Sequence, residues 1–359
     1  MSETVALIAQ SVAQAFSAGA VRAAQLQADV GTLPTLWAQA VESGFTQALV
    51  PDALGGMGLT FTDALPILRG IGQFHVPLPL ADTMLAAPVL THAGLRVGDA
   101  PVALATVEEP SPERLSGAFS RIFARVAWGA QARWLLVEHA RQGKNTSRLM
   151  LIDLHHPSVQ RRAVITPGET IPPEPAAVIT CANTPVQGLE NPYPVSLLSL
   201  LAFVRSAQMS GAIDAAHALT VRYAQERSQF GKPIASFQAV AQQLAEAAGE
   251  AAMARIAVEV AARSLSDPAE TPQANFHIVS AKIIAGEAAT KLAAICHQVH
   301  GAIGYTAEYP LHHFTTRLWA WRREGDSEST WAEHLGRAVI AAGGAQFWSN
   351  LTSASFPQP

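Results

Sequence analysis

The sequence predicts a mainly α-helical chain with a small β-domain in its middle. The order read from it is an N-terminal helical domain at residues 1–98, an antiparallel β-domain at 99–194 and a long four-helix bundle at 195–359. Three observations carry this. Apolar residues make up 49% of the chain and Asp, Glu, Lys and Arg only 14%, against about 25% charged residues in an ordinary soluble domain. Such a chain buries enough surface to offset the entropy of ordering, so disorder is excluded. Short apolar runs separated by polar turns occupy the middle third, and helical spacing resumes after Ser196 in pieces of about 30 residues, each about 45 Å long if helical.

The elements follow in order. Ser11 to Val30 has apolar positions at helical spacing and breaks at Gly31 and Pro34. Trp37 to Phe45 reads as a short helix stopped at Gly44. Val50-Pro51-Asp52-Ala53-Leu54-Gly55-Gly56-Met57-Gly58 must be a loop, because three glycines in four residues make helix and strand too costly. Thr62 to Phe74 returns to helical spacing, with Thr60 or Thr62 as its cap. Val102 to Ala105, Ile122 to Val126, Trp134 to Val137, Leu149 to Leu154 and Ala177 to Thr180 read as strands. Turns such as Gln142 to Asn145 separate them, and the proline-rich stretch Pro167 to Pro175 reads as loop or edge. The helices of the last part are expected at Ser196–Ser228, Phe237–Leu265, Asn275–His300, Leu311–Arg323 and Ser327–Ala342.

Charge and composition exclude several classes. Lys plus Arg total 24 and Asp plus Glu 28, a net −4, which lacks the basic excess of a nucleic-acid binder. Two cysteines, Cys181 and Cys296, do not make a disulfide scaffold and fit a reducing, cytoplasmic compartment. The N-terminal stretch has an early Glu3 and no basic region, unlike a signal peptide. The longest strongly apolar run, Leu197 to Val204, is too short to cross a bilayer. Histidines fall in pairs without metal-ligand spacing, so no metal is expected. No strand runs through a Gly-rich turn into a helix, which excludes a Rossmann pattern, and no Gly-x-Ser-x-Gly elbow points to a hydrolase. Scarce charge also suggests that other subunits cover much of the surface.

Two segments carry the chemistry. One is Arg227-Ser228-Gln229-Phe230-Gly231-Lys232-Pro233-Ile234-Ala235-Ser236-Phe237-Gln238; the other is Gln298-Val299-His300-Gly301-Ala302-Ile303-Gly304-Tyr305-Thr306-Ala307-Glu308-Tyr309-Pro310. Arg227 lies where a helix meets a turn, so its guanidinium can fork onto a pyrophosphate. Phe230 can pack on an adenine or ribose face. Gln298 can hydrogen-bond through both ends of its amide. Gly301 and Gly304 allow backbone N–H groups near an anion. With the Val50–Gly58 loop and the helical–β–helical order, these segments resemble the acyl-CoA dehydrogenase flavoprotein family over nearly the whole chain. The resemblance implies that Arg227, Phe230, Gln238, Gln298, Gly301 and Gly304 contact the ADP half of FAD bound mainly by a neighbouring subunit. It also implies a dimer or tetramer, an acyl-CoA substrate and an electron-transfer flavoprotein as partner.

The reaction implied needs a carboxylate to take the α-proton while the β-hydride leaves to flavin N5. In many members of the family this is a Glu followed by Gly. Counting from Gln298 puts Gly325 in that slot; a shift of one residue puts Glu324-Gly325 there, and the opposite shift offers Asp326. Glu324 keeps the Glu-Gly order and is taken as the base, with Asp326 as the alternative. Two other roles stand beside this: Glu324 pairing with Arg322 or Arg323 on a solvated face, and Asp326 capping the next helix. The family's other base location reads Leu200-Leu201-Ala202-Phe203-Val204-Arg205 here, without a carboxylate. Where the family usually has Thr-Glu-Pro followed by Gly-Ser-Asp, this chain has Ala105-Thr106-Val107-Glu108-Glu109-Pro110-Ser111-Pro112. Trp128 stands as an aromatic neighbour of the flavin or a core residue. Two functions follow: α,β-dehydrogenation of an acyl-CoA, or a catalytically silent subunit that completes a homologous partner's FAD site.

Overall fold

The computed structural model of the chain describes residues 3–16, 33–95, 100–107, 117–139, 148–164 and 175–353. The rest of the Ser11–Val30 helix, the Gln142–Asn145 turn, residues 167–174 and 108–112 lie outside these. Two compact units emerge, and they cut across the three segments read from the sequence: one is Met1–Val12, Phe61–Val76 and Leu201–Pro359, the other Ala13–Thr60 and Pro77–Leu200.

The second unit holds the β-domain. Its strands are β1 (Val102–Val107), β2 (Gly117–Ala127), β3 (Trp134–His139), β4 (Arg148–Asp153), β5 (Val159–Ala163) and β6 (Ala176–Leu189), in the order β1-β3-β4-β6-β2 with β5 also on β6. Five of these strands match the expected apolar runs. The expectation of a wholly antiparallel sheet needs a correction: β1 and β3 run parallel, Val102 opposite Trp134 through Val107 opposite His139. The strand between them in sequence, β2, pairs instead with β6 at the other end of the sheet. β5 has no apolar alternation, since Gln160, Arg161, Arg162 and Ala163 are exposed, so pattern alone does not find it. Leu135, Val137, Met150, Ile152, Ala177 and Ile179 build the core on one side of the sheet. Trp128 is buried at φ 59, and its N–H donates to the Pro175 carbonyl at 2.6 Å.

Before the sheet stand α1 (Glu3–Ala15), α2 (Leu33–Glu42), α3 (Phe61–Gln73) and α4 (Leu80–His92). The Val50–Gly58 stretch is irregular apart from a short 3-10 turn at Asp52–Leu54. Thr62 Oγ1 does not cap α3 but donates to Ser266 Oγ at 3.0 Å. α4 carries no helical stripe because Leu80 to Leu90 is buried on every side.

The first unit contains the long helices: α5 (Leu197–Glu226, whose first turn belongs to the second unit), α6 (Gln238–Ser266) and α7 (Ala274–His300), of 30, 29 and 27 residues. Shorter helices follow at α8 (Leu311–Arg323), α9 (Glu328–Ala342) and α10 (Phe347–Ser353). Ala212 and Ala216 of α5, Ala247, Ala251 and Ala254 of α6, and Ala285, Ala288 and Ala289 of α7 share one core. Small side chains let these helices approach closely, and Leu318 and Trp321 of α8 close the cluster.

A buried carboxylate ties the sheet to the start of α5. Glu138 on β3, 2% exposed, accepts the N–H of Leu197 at 2.9 Å with Oε1 and that of Leu198 at 2.8 Å with Oε2. Both donors are first-turn amides with no helical acceptor, and the helix dipole favours a negative charge there. Glu138→Ala should lower unfolding free energy by about 2–3 kcal/mol in urea denaturation. Glu138→Gln, which keeps one acceptor oxygen, should lose about half as much. A wild-type midpoint for both would dismiss the cap.

Candidate active site

Two separate places in the first unit gather the residues singled out from the sequence. The first is the end of α5. Arg227 follows its last turn, donating its N–H to the Tyr223 carbonyl at 2.8 Å and accepting from the Ile234 N–H at 2.8 Å. Ser228–Gln229 and Lys232–Pro233 pair as a minimal hairpin, turning through Phe230 at φ 52 and Gly231 at φ 79. Left-handed backbone at both central positions is the turn that fits the strand twist, but for Phe it is strained. Phe230 is 92% exposed, and its ring meets Phe237 edge-on with centroids 6.2 Å apart. A strained, outward aromatic gains little from the fold of its own chain. Gln238 opens α6 close by in sequence and is exposed.

The second segment ends α7 and is brought against the first. Tyr223 stacks on His300 with centroids 4.4 Å apart and donates its hydroxyl to the His300 carbonyl at 3.3 Å. Tyr309 touches both rings, 4.9 Å from His300 and 5.8 Å from Tyr223. Nδ1 of His300 bonds the Cys296 carbonyl at 2.7 Å, which makes it the protonated nitrogen. Burial pulls this imidazole below its ordinary value, with the Cys296 carbonyl opposing. His300 therefore orders the turn. Gly301 stands at φ 63 with open space where a Cβ would be, so its backbone is approachable. Gly304 differs: it is buried, and a Cβ there would meet His300 Cβ at 2.9 Å. Its role is packing. Gln298 is exposed on the last turn of α7. The end of α5 and the end of α7 thus offer a guanidinium, an aromatic face, amides and open backbone on the exposed surface of one unit.

The second place is the corner between α8 and α9. Glu324 closes α8 in extended conformation, Gly325 and Asp326 are left-handed at φ 63 and 62, and Ser327 caps α9 by accepting from the Thr330 N–H. The cap is Ser327, not Asp326. The Glu324 carboxylate does not pair with Arg322 or Arg323. Arg322 holds Glu328 instead, with Nε 3.0 Å from Oε1, and Arg205 on α5 donates its Nε to Glu324 Oε2 at 2.7 Å. Arg205 is only 3% exposed, against 22% for Glu324, and its Nη1 donates to Gln208 Oε1 at 2.8 Å. The main chain is pinned as well. Lys282 Nζ donates to the Trp321 and Glu324 carbonyls at 2.7 and 2.6 Å, and the Trp331 indole donates to the Gly325 carbonyl at 2.7 Å. Arg205 and Lys282 were not singled out from the sequence. The available signal was a lone cation inside each apolar stretch, Leu197–Ile213 and Ile278–Gly286. Chemically, this corner offers the half-buried Glu324 carboxylate, held in direction by Arg205, with the half-buried Asp326 two residues on.

Comparison with known proteins bears on both places. Residues 193–331, which include both, match the family described as acyl-CoA dehydrogenase, C-terminal domain. The acyl-CoA dehydrogenase IpdE2 of Mycobacterium tuberculosis is 29% identical over 327 residues, covering 88% of this chain and 89% of that one. Among solved structures, a steroid ACAD variant from the Tcur3481-Tcur3483 pair superposes with a TM-score of 0.80 at 24% identity, over 96% of this chain and 98% of that one. The ChsE4-ChsE5 complex from Mycobacterium tuberculosis gives 0.78 at 20% identity, over 95% and 98%. At these identities the solved structures establish a shared fold.

Gly325 is fixed by contact as well as by backbone angle. A Cβ on it would lie 2.7 Å from the Ala202 nitrogen and 3.0 Å from the Leu201 carbonyl carbon. Gly325→Ala should therefore lower stability by about 1–3 kcal/mol, read as a fall in thermal midpoint. A midpoint equal to wild type would refute the close approach.

Proposed function

We propose, for a chain that belongs to the acyl-CoA dehydrogenase family, that it dehydrogenates the α,β-bond of an acyl-CoA thioester with FAD. The observation that carries this reading is the Glu324-Gly325 corner, where a half-buried carboxylate is held at both side chain and main chain. Glu324 takes the α-proton; Asp326, two residues on, is the alternative. Restricting the carboxylate to one direction removes the orientational cost of reaching the α-carbon. FAD, when bound, supplies the acceptor for the β-hydride. Its ADP half fits the exposed groups at the ends of α5 and α7. Arg227 would fork onto the pyrophosphate, Phe230 would cover the adenine or ribose, and Gln238, Gln298 and the Gly301 backbone would hydrogen-bond. Gly304 shapes that turn from within. Because these groups point away from their own chain, the FAD they serve belongs to a neighbouring subunit in a dimer or tetramer. An electron-transfer flavoprotein is the proposed onward acceptor. Fatty acids or sterol side chains are the proposed source of the acyl group, in line with the steroid ACAD of like fold.

Two observations favour a second reading, a catalytically silent subunit paired with a homologous chain. One oxygen of Glu324 is already bonded to a buried guanidinium, and the stretch Leu200–Val204 supplies no other carboxylate. In that case Arg227, Phe230 and Gln298 serve the partner's FAD alone. A two-chain solved complex of the same fold is compatible with it.

The purified chain, reconstituted with FAD, should be yellow and should bleach when an acyl-CoA is added without oxygen. Glu324→Gln should lower turnover by about 10²–10⁴-fold with flavin content unchanged. Unchanged turnover in that variant removes Glu324 as base. No flavin absorbance after FAD addition removes the first reading, and recovery of flavin and turnover only with a homologous chain establishes the second.

A further inference from the structure

Lys282 has no exposure at all, and its amine is hydrogen-bonded to the main chain. A buried ammonium is usually retained beside an opposite charge. This one instead donates to two backbone carbonyls, those of Trp321 and Glu324. The Trp321 carbonyl lies in the last turn of α8, where carbonyls lack helical donors and the helix dipole is negative, and the Glu324 carbonyl follows it in extended backbone. The amine thus caps the helix from which Glu324 projects. The charged groups facing it are Glu324 and Asp326 in the corner, Glu328 on α9 and Arg205 on α5. Two of these are engaged elsewhere, Glu328 by Arg322 and Glu324 by Arg205. One residue, Glu324, is therefore gripped twice: its side chain from α5 and its main chain from α7.

We propose that Lys282 is a positioning residue for Glu324, and that the charge on its amine holds the corner in the geometry proton transfer requires. The inference rests on Glu324 being the base. Burial pulls the Lys282 amine from 10.5 down to about 7, with Glu324 as the chief opposing influence. It is charged below that pH and neutral above. The neutral amine retains two N–H donors but loses the stronger, charge-assisted bonds and the favourable interaction with the dipole. Arg205 stays charged throughout, so the side-chain grip persists while the main-chain grip weakens. Turnover should fall as pH rises through about 7.

Stability should move the other way. The unfolded chain holds the lysine proton up to about 10.5 and the folded chain only to about 7, so unfolding takes up a proton in that window and this lysine's contribution to stability rises with pH. A lysine with a purely structural role gives the second trend without the first.

The test compares wild-type holoenzyme with Lys282→Met, Lys282→Arg and Glu324→Gln. It follows kcat, KM and thermal midpoint from pH 6 to 9.5. Lys282→Met should lower kcat by about 10- to 100-fold, leave KM within about threefold, abolish the fall in kcat above pH 7 and flatten the rise of the midpoint. Lys282→Arg, charged over the whole range, should recover part of kcat without that fall. The proposal is overturned if Lys282→Met keeps wild-type kcat while Glu324→Gln is inactive. It is also overturned if the wild type shows no fall in kcat above pH 7, a reading that needs no variant to fold. Wild-type turnover in Glu324→Gln would instead defeat the base assignment on which the proposal rests.

Discussion

The pairing of Arg205 with Glu324 sets the terms for the rest of the first unit. An arginine cannot shed its proton to escape burial, so a guanidinium 3% exposed on α5 demands a partner of good geometry. Glu324 supplies one and Gln208 another. The chain must then bring the end of α8 to α5 at one place only. Gly325 permits this by offering no Cβ to the α5 backbone beside it, and the left-handed step at Gly325 and Asp326 turns the chain into α9. Trp331 and Lys282 satisfy the carbonyls that the turn exposes. Removing any one of these would leave a buried polar group without its bond, so the corner holds together as a set.

That same set constrains the chemistry. A carboxylate on a free loop would sample many directions, and each freedom would have to be lost in the transition state. Glu324, the base proposed above, loses it on folding. Two buried cations hold the residue, yet they differ in kind. Arg205 is charged at every working pH, whereas Lys282 is held near its titration point by burial. A permanent charge fixes direction; a titratable one makes the fixing depend on pH. The combination gives the corner a rigid element and an adjustable one within a single residue's reach.

Much of this fold was legible because it rests on local pattern. The long helices were found within a residue or two from their spacing and their Gly, Pro and Asp stops, and five strands from their apolar runs. What escaped depended on distant partners. The parallel pairing of β1 with β3 comes from where β2 goes, not from the residues of either strand. α4 is buried all round and so shows no stripe, and β5, with four of its five residues exposed, is held by its pairing with β6, the packing of Val159 and the bond from Arg161 to the Ala130 carbonyl. In the candidate site, the motif segments were readable, and so was Glu324 as a candidate base. Its true partner was not, because Arg205 lies 119 residues away and its neighbours in sequence, Arg322 and Arg323, were the nearer candidates. Gly304 shows the converse: a glycine in a ligand-like motif whose smallness also answers to His300 and Leu311 beside it.

The two places in the first unit differ in the direction they face, and this separates their physical demands. The groups at the end of α5 are exposed, and Phe230 is strained as well, so their side chains add little to the stability of the isolated chain. The Glu324 corner is the reverse: its contacts are internal, and they would stabilise the fold whether or not a proton is ever moved. An exposed, left-handed phenylalanine beside an exposed arginine argues for something bound from outside. A chain that had become silent would be free to lose neither feature, the first for folding and the second for a neighbour. Burying the Glu324 carboxylate fully would add desolvation cost to its pairing with Arg205, so its 22% exposure suits the ion pair as well as a proton acceptor.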